Sequence, residues 1–347
     1  MQKKKRKSIR NLLIISFLPL FFFLIASRSA MAADEEGEES ETSFIMHHVK
    51  DAHEWHFATL GHTHITLPLP VILYSSDRGL EVFMSSKFYD EQHHRQPYNG
   101  YIMDANEDIV PVDESRRVYD FSITKNVAQL FICLALLLMV FLSIAKRYKK
   151  NPKSPPKGLQ SLFEPIIVFI RDEVAIPGIG KDKHERFMPY LLTLFFFIWF
   201  GNLVGLIPGA ANLTGNIAVT FTLAILTFII TNINANKGYW KHIFATPGVP
   251  KGVLPLLVPV EFLGLFTKPF SLMIRLFVAI TAGHIVILSL IGLAFIFNSF
   301  AVGLGSTIIV TFINLIELLV ATIQAYIFTL FTSMYIGQAV AVHDDHH

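Results

Sequence analysis

Long apolar runs, with the charged residues gathered between them, constrain this chain more than any other feature. The runs are Ile123 to Ala145, Phe187 to Pro208, Asn216 to Ile233, Pro269 to Phe297 and Ser306 to Met334. Lipid demands this segregation, because a charge at mid-membrane costs several kcal/mol while one at the interface costs little. Composition agrees: 52% of the 347 residues are hydrophobic and 16% charged, against roughly one quarter charged in soluble domains. The sequence therefore predicts an all-α multi-pass membrane protein. It should have about five transmembrane helices in the mature chain, the last two long and tilted, and a small polar extracytoplasmic N-terminal domain.

The first residues form a separate element. Lys3, Lys4, Lys5, Arg6, Lys7 and Arg10 precede the apolar run Asn11 to Ala26, and Ala30-Met31-Ala32 follows. A basic start, an apolar middle and a small-x-small ending read as a cleavable signal peptide over 1–32. The alternative is an uncleaved first helix, for which the run is short. Cleavage would remove seven basic residues and no acidic ones, taking the formal charge from +2 to about −5. No basic domain would remain to grip phosphates, which excludes nucleic acid as a partner.

Residues 33–120 form the extracytoplasmic N-terminal region, whose acidic start from Asp34 to Glu41 reads as disordered. Strand-like stretches at Thr63 to Ser75 and Leu80 to Phe88 suggest an α/β or mostly β fold. The region holds His47, His48, His53, His56, His62, His64, His93 and His94. Imidazoles bind zinc, but these spacings match no strong motif and no cysteine assists, so they read as surface polar residues, with no metal or cofactor expected. The lone cysteine, Cys133, lies in an apolar run and reads as packing.

The first mature span, over about 121–145, ends at Lys146-Arg147-Tyr148-Lys149-Lys150, which places that end in the cytoplasm. Residues 146–186 follow as a cytoplasmic linker with Pro152, Pro155 and Pro156, then an amphipathic stretch from Gly158 to Arg171, with a kink or a later start near Pro165. Residues 187–335 form the helical channel domain. Its first two spans make a hairpin that turns near Pro208 and returns to a polar cytoplasmic loop, Asn234 to His242. Val253 to Phe266 is broken by Pro255 and Pro259, contains Glu261, and reads as re-entrant or buried. The tail, 336–347, is cytoplasmic.

The last two spans, each near 28 residues, would be about 42 Å long as helices, more than a perpendicular crossing needs. They carry Arg275, His284, Glu317 and Gln324. Ionisable groups in such runs are functional candidates by default. The plain alternatives are a snorkelling Arg275 and a structural His284/Glu317 pair. In an antiparallel hairpin, residues at equal depth have position numbers of constant sum. Arg275 with Gln324 and His284 with Glu317 nearly satisfy this, giving two polar layers about 13 Å apart by helical rise. Arg275 and His284 point in opposite directions on an ideal helix, so one pathway through both layers requires tilt, curvature or a water chain.

Arginine keeps its charge at any working pH, so it attracts or displaces a carboxylate rather than relaying a proton. Histidine and glutamate titrate. Gln324 can orient the guanidinium or a water through its amide.

Three ordered motifs resemble the a subunit of F-type ATP synthases: Lys268-Pro-Phe-Ser-Leu-Met-Ile-Arg275-Leu-Phe, Thr322-Ile-Gln324-Ala-Tyr-Ile-Phe, and Gly201-Asn202-Leu203-Val204-Gly205-Leu206-Ile207-Pro208-Gly209. The resemblance spans roughly 120 to 340. It implies a stationary subunit with two long tilted helices against a rotating c ring, forming two proton half-channels that couple proton flow to rotation. Arg275 matches the essential arginine that separates the half-channels, Gln324 the glutamine beside it, and Glu261 an acidic position of the cytoplasmic half-channel. His284 and Glu317 match the opposite half-channel, with acid and imidazole exchanged relative to familiar bacterial members. Val278-Ala279 departs from the usual Gly-Asn. The partners implied are the c ring, the b subunits of the peripheral stalk, the remainder of the complex, and lipid; the location implied is the bacterial inner membrane.

No Gly-x-x-x-x-Gly-Lys-Ser/Thr run is present to cradle nucleotide. An independent secondary ion transporter is the competing class, and it would show paired repeats with broken helices, of which none is evident. A secreted sensor or assembly module on a membrane anchor would leave the two polar layers unexplained.

Overall fold

A computed structural model describes residues 51–60, 63–90, 95–104, 107–113, 116–150, 155–207, 209–244, 250, 252–297 and 299–341. The signal peptide, the acidic run, His47, His48, His62, His93, His94 and the tail from 342 lie outside the described residues, as do the side chains of His56 and His64.

The described N-terminal region is built on seven strands: β1 Glu54–Leu60, β2 Thr63–Pro68, β3 Pro70–Ser75, β4 Gly79–Met84, β5 Tyr101–Met103, β6 Ile109–Pro111 and β7 Val118–Asp120. All pairings are antiparallel: β1 with β2, β5 with β6, and a sheet in the order β4-β3-β7. The expected strand at Thr63 to Ser75 is two strands, broken at Leu69. Its amide leaves the ladder to reach the His53 carbonyl and the Ser85 hydroxyl. One face of β3, with Val71 and Leu73, packs on Phe88, Tyr101, Met103 and Ile109 as a closed core.

The helices are α1 Lys125–Lys150, α2 Leu159–Phe169, α3 Ile176–Ile179, α4 His184–Gly205, α5 Ile217–Ile233, α6 Lys237–Phe244, α7 Leu254–Ile296 and α8 Phe300–Val340. Four of them, α1, α4, α7 and α8, are long and apolar enough to cross a membrane; α5 with α6 makes a fifth candidate, bent by 103°. The chain is thus a mostly helical, multi-pass membrane protein with a strand-rich N-terminal region.

Local chemistry sets the helix ends. Asp51 accepts from the Asn126 amide at 3.1 Å and the Thr124 hydroxyl at 2.9 Å, capping α1 from a distant part of the chain. Arg147, Lys149 and Lys150 end α1, where cations suit the helix dipole. Asn216 caps α5 through the Ala218 amide at 2.9 Å.

Two expectations are corrected. Val253 to Phe266 is not a separate segment but the first third of a continuous 43-residue α7. Pro255 sits in the first turn, where no amide bond is lost, and the helix runs on through Pro259 and Pro269. At about 64 Å, α7 far exceeds the hydrocarbon layer and must tilt or project beyond it. The loop from Asn234 to His242 is also largely helical, since the Asn236 side chain accepts from the Tyr239 amide at 2.7 Å and starts α6. Near Pro165 the helix continues, then widens into a π-turn over Ile170–Ala175.

The chain divides into two compact units. One holds the strand-rich region with α1 as far as Phe131, the loop Val204–Asn212 and the segment Gly283–Ile316. The other holds Ile132–Leu203, Leu213–Ala282 and the chain from Glu317. Its core is an aromatic cluster in which Phe196 packs on Phe141 and Phe163 at 4.7 and 5.7 Å between centroids.

Candidate functional site

Two side-chain contacts join α7 to α8 in the second unit. Lys268 Nζ donates to Gln338 Oε1 at 2.9 Å, and the Arg275 guanidinium carbon lies 4.5 Å from the Phe331 ring centroid. Numbers rise on one helix as they fall on the other, so the helices are antiparallel here. Lys268 Nζ also sits 5.5 Å from the Tyr335 ring, itself 6.1 Å from Phe331. Phe331, Tyr335 and Gln338 recur at steps of four and three, forming one stripe of α8, and both cations of α7 rest on it.

Gln324 lies two helical turns from Phe331, about 10 Å along α8. The structure therefore seats Arg275 on an aromatic face and not in a hydrogen bond with Gln324; both side chains are half-buried. A guanidinium is weakly hydrated and flat, so an aromatic ring is a favourable support in an apolar helix pair.

The portion of α8 just ahead of Gln324 is clasped by α4. Asn202, 3% exposed, donates through Nδ2 to the Ala321 carbonyl at 3.2 Å and accepts from the Thr214 hydroxyl through Oδ1. Trp199 Nε1 donates to the Thr322 hydroxyl at 3.1 Å. The Gly201-Asn202 motif thus holds α8 in place. At the other end of α8, Ser333 donates to the Val174 carbonyl in the π-turn at 2.8 Å. There a Cβ at Gly337 would stand 1.8 Å from the Gly178 carbonyl oxygen, so the two backbones touch.

Beside the Lys268–Tyr335 contact lies a small pocket of about 20 Å³, with Thr227, Thr231, Asn232, Tyr239, Lys268 and Tyr335 in its wall beside Phe228, Leu265 and Pro269. Thr231 Oγ1 and Asn232 Oδ1 are buried without a protein hydrogen-bond partner, the condition that calls for water. Thr227 continues the polar lining, sharing a 2.9 Å hydrogen bond with the Tyr190 hydroxyl. Glu261, half-buried on α7, interacts electrostatically with both Tyr239 and Lys268.

The remaining sequence candidates fall in different units and are described separately. His284 is half-buried on α7, and Glu317 on α8 is 4% exposed, an unusual burial for a carboxylate in an apolar helix. Among the described residues no group of three or more His, Cys, Asp or Glu is placed to hold a metal ion. Sequence reasoning missed the roles of Phe331, Tyr335, Thr231 and Asn232. An aromatic residue in an apolar run carries no signal of its own, whereas the amide of Asn202 in such a run did.

Residues 128–337 match the family model described as ATP synthase A chain, and residues 44–130 match one described as a domain of unknown function. The ATP synthase subunit a of Chloroherpeton thalassium is 48% identical over 66% of this chain and 69% of its own length. That of Chlorobium phaeobacteroides is 36% identical over 100% of this chain and 97% of its own. An Anaeromyxobacter relative is 38% identical over 93% of this chain and 77% of its own.

Proposed function

The chain belongs to the ATP synthase A chain family, and from that premise we propose that it is the stationary Fo subunit carrying protons to and from a rotating c ring. The observation that carries the reading is Arg275: a permanent cation partway along an apolar helix, supported by the Phe331 ring. A guanidinium lying on a ring presents its N–H edges sideways, where a carboxylate on a passing helix meets them. That carboxylate must give up its proton to pair with Arg275, and the fixed charge opposes direct proton leakage between the two access paths.

The pocket of Thr231, Asn232 and Tyr239, with Glu261 nearby, is the cytoplasmic access path in this reading. The two buried oxygens without a protein partner, Thr231 Oγ1 and Asn232 Oδ1, set in an otherwise largely apolar wall, support it. His284 and Glu317 serve the extracytoplasmic path, and Gln324 orients water or a carboxylate near Arg275. The partners are the c ring, the b subunits of the peripheral stalk and the other subunits of the complex. Selectivity between H⁺ and Na⁺ resides mainly in the ring carboxylate, on another chain.

The same reading places the chain in the bacterial inner membrane, with residues 1–32 removed as a signal, the strand-rich region outside and the C-terminus inside. Contacts at the helix ends support this topology. The Trp55 indole donates to the Gly209 carbonyl at 2.5 Å, joining the N-terminal region to the loop after α4. The end of α8 is held by Lys183 Nζ on the Val340 carbonyl and the Asn236 amide on the Ala339 carbonyl, from segments rich in basic residues.

The test is ATP-driven proton pumping in membranes carrying Arg275→Ala, with co-purification of the c ring measured on the same sample. Pumping should be lost with the ring retained. Normal pumping with normal assembly would remove Arg275 from the mechanism, and loss of the ring would leave it a structural role.

A further inference from the structure

The sheet β4-β3-β7 has two apolar faces, and only one of them is covered. Pairing sets Tyr74 opposite both Leu80 and Tyr119, Ile72 opposite Val82, and Pro70 opposite Met84. These residues alternate with the buried Val71, Leu73 and Ser75, so they share the other face. There Leu80 is 66% and Val82 61% exposed, and Tyr74, Met84 and Tyr119 are exposed with them. The charged residue of β4, Glu81, points the opposite way, accepting from the Tyr101 hydroxyl and from Asn99 at 2.7 Å. A half-solvated sheet normally carries polar residues on its outer face, and a contiguous apolar patch marks a contact surface.

The path of the chain identifies what that surface meets. Phe121, 65% exposed, follows β7 and precedes the membrane helix α1 by four residues, a span of at most about 14 Å. This connection is fastened at each step. The Phe121 amide donates to the Ile72 carbonyl at 2.9 Å and the Ile123 amide to the Pro70 carbonyl at 3.1 Å. The Lys125 amide donates to the Ala52 carbonyl at 3.0 Å, and the Ile72 amide to the Ser122 hydroxyl at 3.0 Å. The sheet is therefore fastened to the start of α1, and exposed apolar surface resumes on α1 at Phe131. Tyrosine and phenylalanine amid aliphatic side chains, with no charged residue among the described strand positions of this face, form the composition that partitions into the headgroup layer.

We propose that the outer face of this sheet is a lipid-binding foot, bedded in the leaflet that α1 enters at its N-terminal end. The foot braces the N-terminal domain on the bilayer, while Trp55 ties it to the loop at Gly209. This inference rests on α1 being a membrane span and is independent of the proton pathway.

Cys133, the single cysteine, is buried and is first changed to alanine. In that background Val82→Cys and, separately, Leu80→Cys are labelled with an environment-sensitive fluorophore. The full chain, with the subunits that accompany it, is then reconstituted into phosphatidylcholine–phosphatidylglycerol bilayers. Lys87→Cys, exposed outside this sheet, is the control. The expected result is blue-shifted emission at both sheet positions, with most of it lost when the lipids are brominated near the headgroup, and little change at position 87. Water-like emission at both positions would overturn the proposal. Blue-shifted emission that brominated lipid fails to quench would also overturn it, since protein would then cover the face.

Discussion

The guanidinium of Arg275 lies 4.5 Å from the centroid of the Phe331 ring, across the pair of longest helices in the chain. Such a contact is worth about 0.5–2 kcal/mol, depending on desolvation. Its weight is therefore in holding the cation in one orientation and not in holding the helices together. Phe331→Leu keeps an apolar side chain at the position, somewhat smaller, and removes the ring face. ATP-driven pumping should fall several-fold with normal amounts of assembled complex, and Phe331→Tyr should restore most of it. Equal pumping by the leucine and tyrosine variants would show that the ring does not position Arg275.

The clasp from α4 predicts a stability effect. Asn202→Ala leaves the Thr214 hydroxyl and the Ala321 carbonyl without their partner in a buried site, at a cost of about 1–3 kcal/mol. Thermal unfolding of the purified chain should shift down by several degrees. An unchanged midpoint would mean that α8 is held at Ala321 by packing alone.

Membrane insertion made much of this legible from sequence, because lipid punishes misplaced charge so severely that spans and their polar exceptions stand out. The runs at Phe187 to Pro208 and Asn216 to Ile233 correspond closely to α4 and α5. Arg275, His284, Glu317 and Gln324 were visible for the same reason. Proline misled where Pro255 and Pro259 suggested a break. The first lies in a turn whose amides need no intrahelical partner, and the second interrupts α7 by one bond at most. The seat of Arg275 on the Phe331 ring was not legible, because residue spacing gives depth along a hairpin and not the reach of a long side chain. Both cations of α7 reach the same α8 stripe, Lys268 at Gln338 and Arg275 at Phe331. In the N-terminal region β1 escaped notice, since Trp55 and His56 interrupt any simple alternation.

Two glycines test the packing in opposite directions. At Gly337 an added Cβ would meet the Gly178 carbonyl oxygen at 1.8 Å, whereas at Gly264 it would meet nothing within 4 Å. Backbone cannot give way as a side chain can, so Gly337→Ala should cost more than the about 1–3 kcal/mol typical of overpacking. Yield of folded protein should fall accordingly. Gly264→Ala, within α7, should be neutral or stabilising by up to about 1 kcal/mol through helix propensity. If Gly337→Ala is tolerated as well as Gly264→Ala, α8 does not rest against α3 through its backbone.

The last prediction concerns pH and the pair of the buried His53 with the partly exposed Asp120, 3.2 Å apart. Burial alone would lower the His53 pKa, but the hydrogen bond and charge of Asp120, with smaller contributions from Glu107 and Asp51, outweigh it and raise the value above 6.5. Burial likewise opposes the charged form of Asp120, yet His53 and Ser122 hold its pKa below 3.8. A raised histidine pKa contributes stability that is complete below 6.5 and is lost as pH rises through the folded value. The depressed Asp120 contributes stability above 3.8 that is lost as pH falls through its folded value. The pair is therefore strongest between these limits. Because Asp51, the neighbour of this pair, caps α1, weakening it should loosen the strand-rich region where it meets the helix. Pulse proteolysis of the full chain should show resistance declining as pH rises above about 6.5, where His53 releases its proton. Asp120→Asn should be weaker at pH 6 and nearly flat over the same rise. Parallel profiles for the two proteins would show that this pair does not carry the pH dependence.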